Sequence, residues 1–473
     1  MKTFPLRVAD ALQNHQLQTA LTRATGQLGA RRSNAFATLD DADAVRNRAR
    51  LARMHAIRDL AGHLERFDAN LSKNGAHVHW AQTAKDANAI IAGIAMRTKT
   101  RRVVKSKSMV SEETHLNAAL AKHGIDVVET DLGEYIVQLA NDTPSHIIAP
   151  IIHMSRQDVG RVMQDRLHVP YTDDPQTLAA TARVKLREEF LRADMGISGA
   201  NFGVADTGTV VLVTNEGNGR MVTTLPRVHV VLMGIEKLIG SLADLDQCLK
   251  VLARSGTGQK LTVYTTMIRG PRKAGDADGP EELHVVLLDN GRSTMLAGES
   301  AEILGCIRCG ACQNVCPVYR SVGGHAYGDT YAGPVGAIVT PGLRGLDGWS
   351  ELPHASSLCA ACRDACPVRL DIPRMLLSLR RQAVEQVAQP LSFRLAMRSF
   401  GWAASTPRAY RALAGAARRS LALFARDGWI AKLPGAAGRW TMARDLRAPA
   451  SKTFQDLWRE RQVARAPGRH HRG

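Results

Sequence analysis

Apolar and polar positions follow different rhythms along this chain. Over residues 1–70 apolar positions recur near helical spacing. "DADAVRNRARLARMHAIRDLAGHLERFDANL" is rich in Ala, Leu and Arg, all good helix formers. From about residue 70 short strand-like runs alternate with helical stretches. "HVHW" and "RRVVKS" flank a helix, "GIDVVETD" follows the helical "SEETHLNAALAKH", and "SHIIAPII" follows the helical "LGEYIVQLAND". "FGVADTGTVVLVTN" and "RVHVVLMGIEKLI" are bounded by Gly and Asn, and "QKLTVYTTMI" and "EELHVVLLDNG" are split by the turn-rich "RGPRKAGDADGP". The alternation predicts an α/β domain with a largely parallel or mixed sheet over residues 70–293, preceded by a helical region over 1–69. After Asn290 the strand signal stops. Residues 294–385 read as short helical pieces between Gly/Pro loops, and residues 386–473 as a helical tail whose last segment, "ARAPGRHHRG", is expected to be disordered.

Composition changes this picture in one place. The chain has 473 residues, 45% hydrophobic and 22% charged, an ordinary globular balance. Its formal charge is +18, yet the segment from Arg381 onward holds 18 Lys/Arg against 5 Asp/Glu and so carries +13 of it. The basic character belongs to the tail, which reads as a solvated, partner-docking helical pair or as a surface for nucleic acid or anionic membrane. The docking reading is preferred, and no nucleic-acid partner is expected. No run of apolar residues is long enough for a transmembrane segment, and the N-terminus lacks a signal-peptide pattern. A cytoplasmic location is expected.

The cysteines carry the candidate chemistry. "CIRCGACQNVCPV" places Cys306, Cys309, Cys312 and Cys316 in C-x2-C-x2-C-x3-C-P spacing, and "SSLCAACRDACPV" places Cys359, Cys362 and Cys366 in C-x2-C-x3-C-P spacing. Such spacing in a chain without a secretion signal argues for metal ligation over disulfides. Thiolates are soft ligands, and three at x2 spacing reach three corners of a cubane. The fourth cysteine, followed by Pro, ligates the other cluster in the bacterial ferredoxin pattern. On that pattern Cys306, Cys309, Cys312 and Cys366 hold one 4Fe–4S cluster, and Cys316, Cys359 and Cys362 hold a second. The 42 residues between Cys316 and Cys359 suggest a helical ferredoxin-like module. Zinc is the alternative, with one four-thiolate site and one three-thiolate site completed by His325 or His354. Ser356 stands where the second run lacks a cysteine. The spacing leaves open whether its alkoxide, water or hydroxide, or another ligand fills that corner, or whether the iron is lost. Cys248, in "LADLDQCLKVLARSG", reads as a small buried apolar residue of an amphipathic helix.

In "TNEGNGR", Gly217 and Gly219 sit beside Asn215, Asn218 and Arg220. The run suits either an anion-binding turn with glycines at positive φ or a plain hairpin turn with Arg220 solvated. Asp206, at the head of a strand, reads as a turn residue more than a catalytic one. No dinucleotide fingerprint appears, because Val222 stands where a third glycine would be needed after Gly217 and Gly219.

The segment "GISGANFGVADTGTVVLVTNEGNGRMVTTLPRVHVVLMGIEKLI", with "KSKSMVSEETHLNAALAKHGIDVVETDLGEYIVQL" and "PSHIIAPIIHMSRQDVG", resembles the lactate-utilisation (LUD) domain. With "CIRCGACQNVCPVYR", "GPVGAIVTP" and "SSLCAACRDACPV" downstream, the chain resembles the iron–sulfur lactate-utilisation protein B family from about residue 45 to 470. That resemblance implies a CoA-transferase-like α/β fold and two 4Fe–4S clusters with seven cysteine ligands. It also implies an electron-transfer subunit that works with two sister subunits in oxidising L-lactate to pyruvate. The rival expectation makes the LUD domain itself an enzyme acting on an anionic acid or CoA-like ligand near Asn215–Arg220, with the clusters as its electron outlet; no catalytic residue is assigned.

Overall fold

The structure is a computed structural model that describes residues 3–387, 391–441 and 444–465. Residues Met1–Val387 form one compact unit and Ala388–Gly473 a second. The expectation of disorder for the last ten residues falls, from Ala466 onward, outside the described residues.

In the first unit, six strands make an all-parallel sheet: β1 (His77–Ala81), β2 (Arg102–Lys105), β3 (Asp126–Glu129), β4 (Met195–Ser198), β7 (Val228–Gly234) and β10 (Glu282–Leu288). Their order across the sheet is β1-β10-β7-β4-β2-β3. A parallel sheet is covered on both faces, so its inner strands carry unbroken apolar runs. Accordingly every residue of β7 is buried, as is all of β10 after its first residue. Apolar residues of this sheet enter separate clusters, Val230, Leu232 and Val286 in one and Val231, Met233, Val285 and Leu287 in another. The second sheet, ordered β8-β5-β6-β9, comprises β5 (Phe202–Val204), β6 (Thr209–Thr214), β8 (Leu238–Ile239) and β9 (Tyr264–Ile268). Strands β5 and β6 form an antiparallel hairpin whose turn ends at Gly208, at φ +59°. A Cβ there would lie 2.5 Å from the Leu71 amide nitrogen, so the turn requires glycine.

Two expectations are corrected. "SHIIAPII" is not a strand; residues 146–148 bend and 150–152 turn, because Pro150 interrupts the run and its backbone groups bond to one another and to the side chains of His146, Gln313 and Tyr319 instead of a sheet edge. The segment after β6 is not a hairpin turn. It leads into the helix Asn218–Thr224, and β6 and β7 lie in different sheets.

The cysteine runs lie among short helices, Ala311–Val315, Pro317–Val322 and Ala361–Ala365, with Gly333–Arg344 and Ile372–Gln386 packed around them. One hydrophobic cluster joins this module to the N-terminal helices His15–Phe36 and Ala42–Arg58 and to residues of the second sheet such as Phe202 and Val211. The second unit, taken by itself, pairs the helices Leu391–Ser405 and Pro407–Ala422 and adds a two-stranded ribbon, Trp429–Ile430 with Leu446–Arg447, and the helix Phe454–Arg465. Among the described residues no helix is long and apolar enough to cross a membrane.

Candidate iron–sulfur centre and an adjoining cavity

The two cysteine runs fold as repeats fifty positions apart. In the first, Arg308 (φ 56°) and Gly310 (φ 74°) turn the chain left-handed before the helix Ala311–Val315, which ends at Cys316. In the second, Leu358 (φ 55°) and Ala360 (φ 65°) do the same before Ala361–Ala365, which ends at Cys366. Left-handed backbone at Arg308, Leu358 and Ala360 is uncommon for residues with a Cβ and wraps each loop around one point. Each loop also opens with the same hydrogen bond. The Arg308 amide donates to Cys306 Sγ at 3.4 Å, and the Leu358 amide donates to Ser356 Oγ at 3.1 Å. Ser356 therefore stands in the place of Cys306.

The runs interlock. Burial pushes the Cys309 thiol up, and the charges of Cys306 and Cys366 push it further. Cys312 is raised by burial and then by Cys306, Cys309, Cys362 and Cys366, whereas Cys366, at about 11, feels burial and then Cys306 among the thiols. On the other side Cys362 is pushed up to about 12 by burial and then by Cys316 and Cys359, and Cys316 is raised by burial with Cys359 as its thiol neighbour. The exposed Cys359 is lowered, first by the Ala361 amide that donates to it. Cys306, Cys309, Cys312 and Cys366 thus share one electrostatic neighbourhood and Cys316, Cys359 and Cys362 another, with Cys312 and Cys362 acting on each other across the two.

All seven are free thiols. A single zinc needs sulfurs about 3.8 Å apart, from bonds of about 2.3 Å in tetrahedral array. Among the described residues no three of these sulfurs lie within 4.8 Å of one another. Of the two histidines considered for zinc, His325 bonds to the Thr143 carbonyl beside Asp142 and His153, and His354 is exposed. Amides of Tyr319 and Leu370 also donate to Cys316 and Cys366 sulfurs, at 3.5 and 3.4 Å. Such bonds stabilise thiolate and tune cluster potential.

Four arginines of the N-terminal helices hold the loops by their carbonyls. Arg32 reaches the Ala365 carbonyl, Arg46 those of Asp364 and Cys366, and Arg50 that of Arg369. Arg53, 1% exposed, reaches Gly305 and Leu304, and on the other side Leu238 and Glu236. Sequence reasoning missed this role; the arginines looked like an ordinary helical surface.

Comparison with known proteins agrees. The LUD domain family matches residues 64–288, the 4Fe–4S dicluster domain residues 302–370, and "Lactate utilisation protein B, C-terminal" residues 381–463. "Lactate utilization protein B" of Bacillus licheniformis is 45% identical over 461 residues, 97% of each chain, and that of Bacillus subtilis 43% over 463 residues, 98% of this chain and 97% of the relative. The chain belongs to the lactate utilisation protein B family. Its dicluster domain carries two 4Fe–4S clusters, and the three-cysteine second run accompanies them. A crystal structure of a DUF162 family protein from Deinococcus radiodurans covers 49% of this chain and 98% of its own at 16% identity and a TM-score of 0.29, too distant to bear on the fold.

The first cluster's loop forms one wall of a cavity of about 450 Å³ in the LUD domain. The cavity opens off the carboxyl ends of parallel strands. Ser106–Val110 follow β2, Asp131–Gly133 follow β3, Gly199–Asn201 follow β4, and Lys237 follows β7. Ligands of α/β sheets bind at this end. Arg308, Cys309 and Tyr331 close it from the cluster side. Of the run singled out in the sequence, Asn215, Glu216, Asn218 and Gly219 line the cavity, but Arg220 is exposed and does not. Gly217 (φ −72°) and the helical Gly219 are not left-handed, so no glycine nest forms there. Asp206 lies exposed in the turn Ala205–Thr207 near Arg66, as expected of a turn residue. Cys248 is fully buried, and burial raises its thiol to about 12.

Beneath the cavity lies a charge network that the sequence did not suggest. Arg292 makes a two-pronged pair with Glu113, at 2.8 and 2.9 Å, and its Nε meets Glu236 at 2.5 Å. Tyr331 and Asn290 also donate to Glu113, both at 2.7 Å. Burial opposes the charge on Glu236, yet Arg292, Lys237 and Arg308 hold its carboxyl down to about 2.

Proposed function

We propose that this protein is the iron–sulfur electron-transfer subunit of a complex that oxidises L-lactate to pyruvate and works with two sister subunits. Cys306, Cys309, Cys312 and Cys366 hold cluster one; Cys316, Cys359 and Cys362 hold cluster two. Lactate oxidation releases two electrons, and two one-electron centres side by side pass them on singly. The observation that carries this reading is the interlocked repeat, which leaves Cys312 and Cys362 at the meeting of the two thiol groups. The protein's own part is to bury the thiols, to donate amide hydrogen bonds to their sulfurs, and to brace both loops with Arg32, Arg46, Arg50 and Arg53. A CoA-transferase-like sheet and a ferredoxin-like helical module are the finer fold reading, supported by the parallel sheet and the repeated loops. The cytoplasm, where thiols stay reduced, suits such a centre.

The test is anaerobic purification with iron and sulfide quantitation and EPR of the reduced protein. About eight iron and eight acid-labile sulfides per chain are expected from two cubanes. Stoichiometric zinc without sulfide overturns the reading.

A further inference from the structure

Two cations line the cavity without a hydrogen-bonding partner. Lys237 is 8% exposed and makes no hydrogen bond or ion pair among the described residues. The Arg308 side chain is 9% exposed; it lies over the Tyr331 ring, its nearest carboxylate oxygen is Glu236 Oε1 at 3.6 Å, and its Nη1 has no partner. Buried cations are ordinarily paired, because leaving one unpaired costs its full desolvation. Among the described residues the acids near them are Glu236, whose Oε1 lies 3.6 Å from Arg308 without a hydrogen bond, and the Cys306 thiol; neither takes up the hydrogen-bonding capacity of the two cations, which is left for an anion.

The other end of the cavity has opposite character. Asp131 and Glu216 line it, and burial with the neighbouring Asp131 raises the Glu216 carboxyl. Lys107 there is already paired with Glu134 at 2.8 Å. Asp131 follows β3 and Lys237 follows β7, three strand spacings apart in the sheet, or about 14 Å. Between the ends the walls are apolar: Ile147, Ile148, Ile151, Leu212, Leu252. The volume lies in the range of sites that enclose cofactor-sized ligands and is far larger than a three-carbon acid needs.

We infer that this cavity binds an elongated organic anion of cofactor size. Its phosphate or carboxylate head sits between Lys237 and Arg308, its flat apolar body lies along Ile147, Ile151, Leu212 and Leu252, and N–H or O–H donors at its far end meet Asp131 and Glu216. Flavin mononucleotide, with a phosphate at one end, a flat ring system and a single N–H at the far edge for one of the two carboxylates, is a probe of this layout. The inference rests on the electron-transfer reading for its meaning, because the head abuts the loop that carries Cys306 and Cys309. It needs no redox step to be tested.

The experiment uses the full chain, purified anaerobically and checked for iron and sulfide. Binding of FMN, riboflavin and pyruvate is followed by calorimetry and, for the two flavins, by fluorescence quenching. FMN is expected to bind at one site per chain. Riboflavin, which lacks the phosphate, should bind at least about tenfold more weakly, as should FMN to Lys237→Gln, each losing a charge-assisted contact. Leu252→Trp, which fills the apolar stretch and leaves both cations in place, should abolish FMN binding with iron content unchanged. Binding of pyruvate but not FMN overturns the inference, as does FMN binding that ignores both substitutions. If Lys237→Gln only moves the potential of cluster one and nothing binds the parent protein, the cations serve as counter-charges to the cluster and the inference falls. In each of those cases eight iron and eight sulfide would leave the electron-transfer reading standing, whereas their absence would end that reading by itself.

Discussion

At residue scale the two loops differ in one atom that matters. Cys306 and Ser356 hold the same place and accept the same backbone hydrogen bond, but one offers sulfur and the other a hydroxyl. On the proposed ligation, one iron of cluster two lacks a fourth thiolate. Ser356→Cys is expected to supply it, and EPR during mild exposure to air should then show less of the three-iron signal than in the parent. The proposed crossed ligation makes a second prediction. Cys366→Ser should remove the EPR signal that Cys309→Ala removes and leave the one lost in Cys359→Ala. If Cys366→Ser and Cys359→Ala lose the same signal alone, ligation is local to each run. The doubled C-P pattern is the sequence feature from which this pairing is proposed. The equivalence of Ser356 was legible only as a register, since whether its oxygen faces the loop depends on Leu358 adopting φ +55°.

At the scale of elements, Arg292 on the short helix after β10 ties Glu113, on the helix after β2, to Glu236, on the turn after β7. Arg292→Met would strip two buried carboxylates of the cation they share and should cost about 3–5 kcal/mol, read as a lower denaturant midpoint. The pH dependence has a definite sign. The Glu236 carboxyl is depressed from its ordinary 4.5 to about 2 in the folded protein. Its contribution is present above about pH 4.5 and is lost as pH falls through that window toward 2. Unfolding midpoints measured from pH 6 downward should fall more steeply in the parent than in Glu236→Gln. None of this was visible in the sequence, because Glu113, Glu236 and Arg292 are far apart along the chain and each sits in an unremarkable polar context. The strands of the six-stranded sheet were legible, except β4, whose four residues "MGIS" are too few to show a period.

At the scale of the whole molecule, the N-terminal helices, both sheets and the cluster module form one unit, and the basic tail forms another. The helix Ile372–Gln386 closes the first unit with Met375, Leu376 and Leu379 in its core. A chain ended after Val387 is therefore expected to retain the iron and sulfide of the full chain and the EPR of both clusters. The tail has no acidic residue between Glu385 and Asp427 and exposes Leu391, Phe393, Phe400 and Trp402. Its loss should show in co-purification with the proposed sister subunits, the role its charge and apolar surface suggest.

The sequence by itself determined the parts that depend on local spacing. Cysteine spacing brings sulfurs to one loop, apolar runs of strand length require a sheet covered on both faces, and helical periodicity builds the N-terminal pair. Tertiary structure alone decided the parts that depend on meeting. The loop 145–150 looked like a strand, yet His146 takes the Ile148 and Ala149 amides on Nδ1, so its Nε2–H donates to Asn314, while the Ser145 carbonyl accepts from Tyr319. That latch holds the LUD domain against the cluster loops. The anion-binding cation was sought at Arg220, eight positions beyond β6 residue Leu212, and the fold left it in solvent. Lys237 and Arg308, 71 positions apart, line the cavity instead. The reason is physical: burial and charge pairing are set by which elements face one another, and in a parallel sheet the facing loops come from strands far apart in the chain.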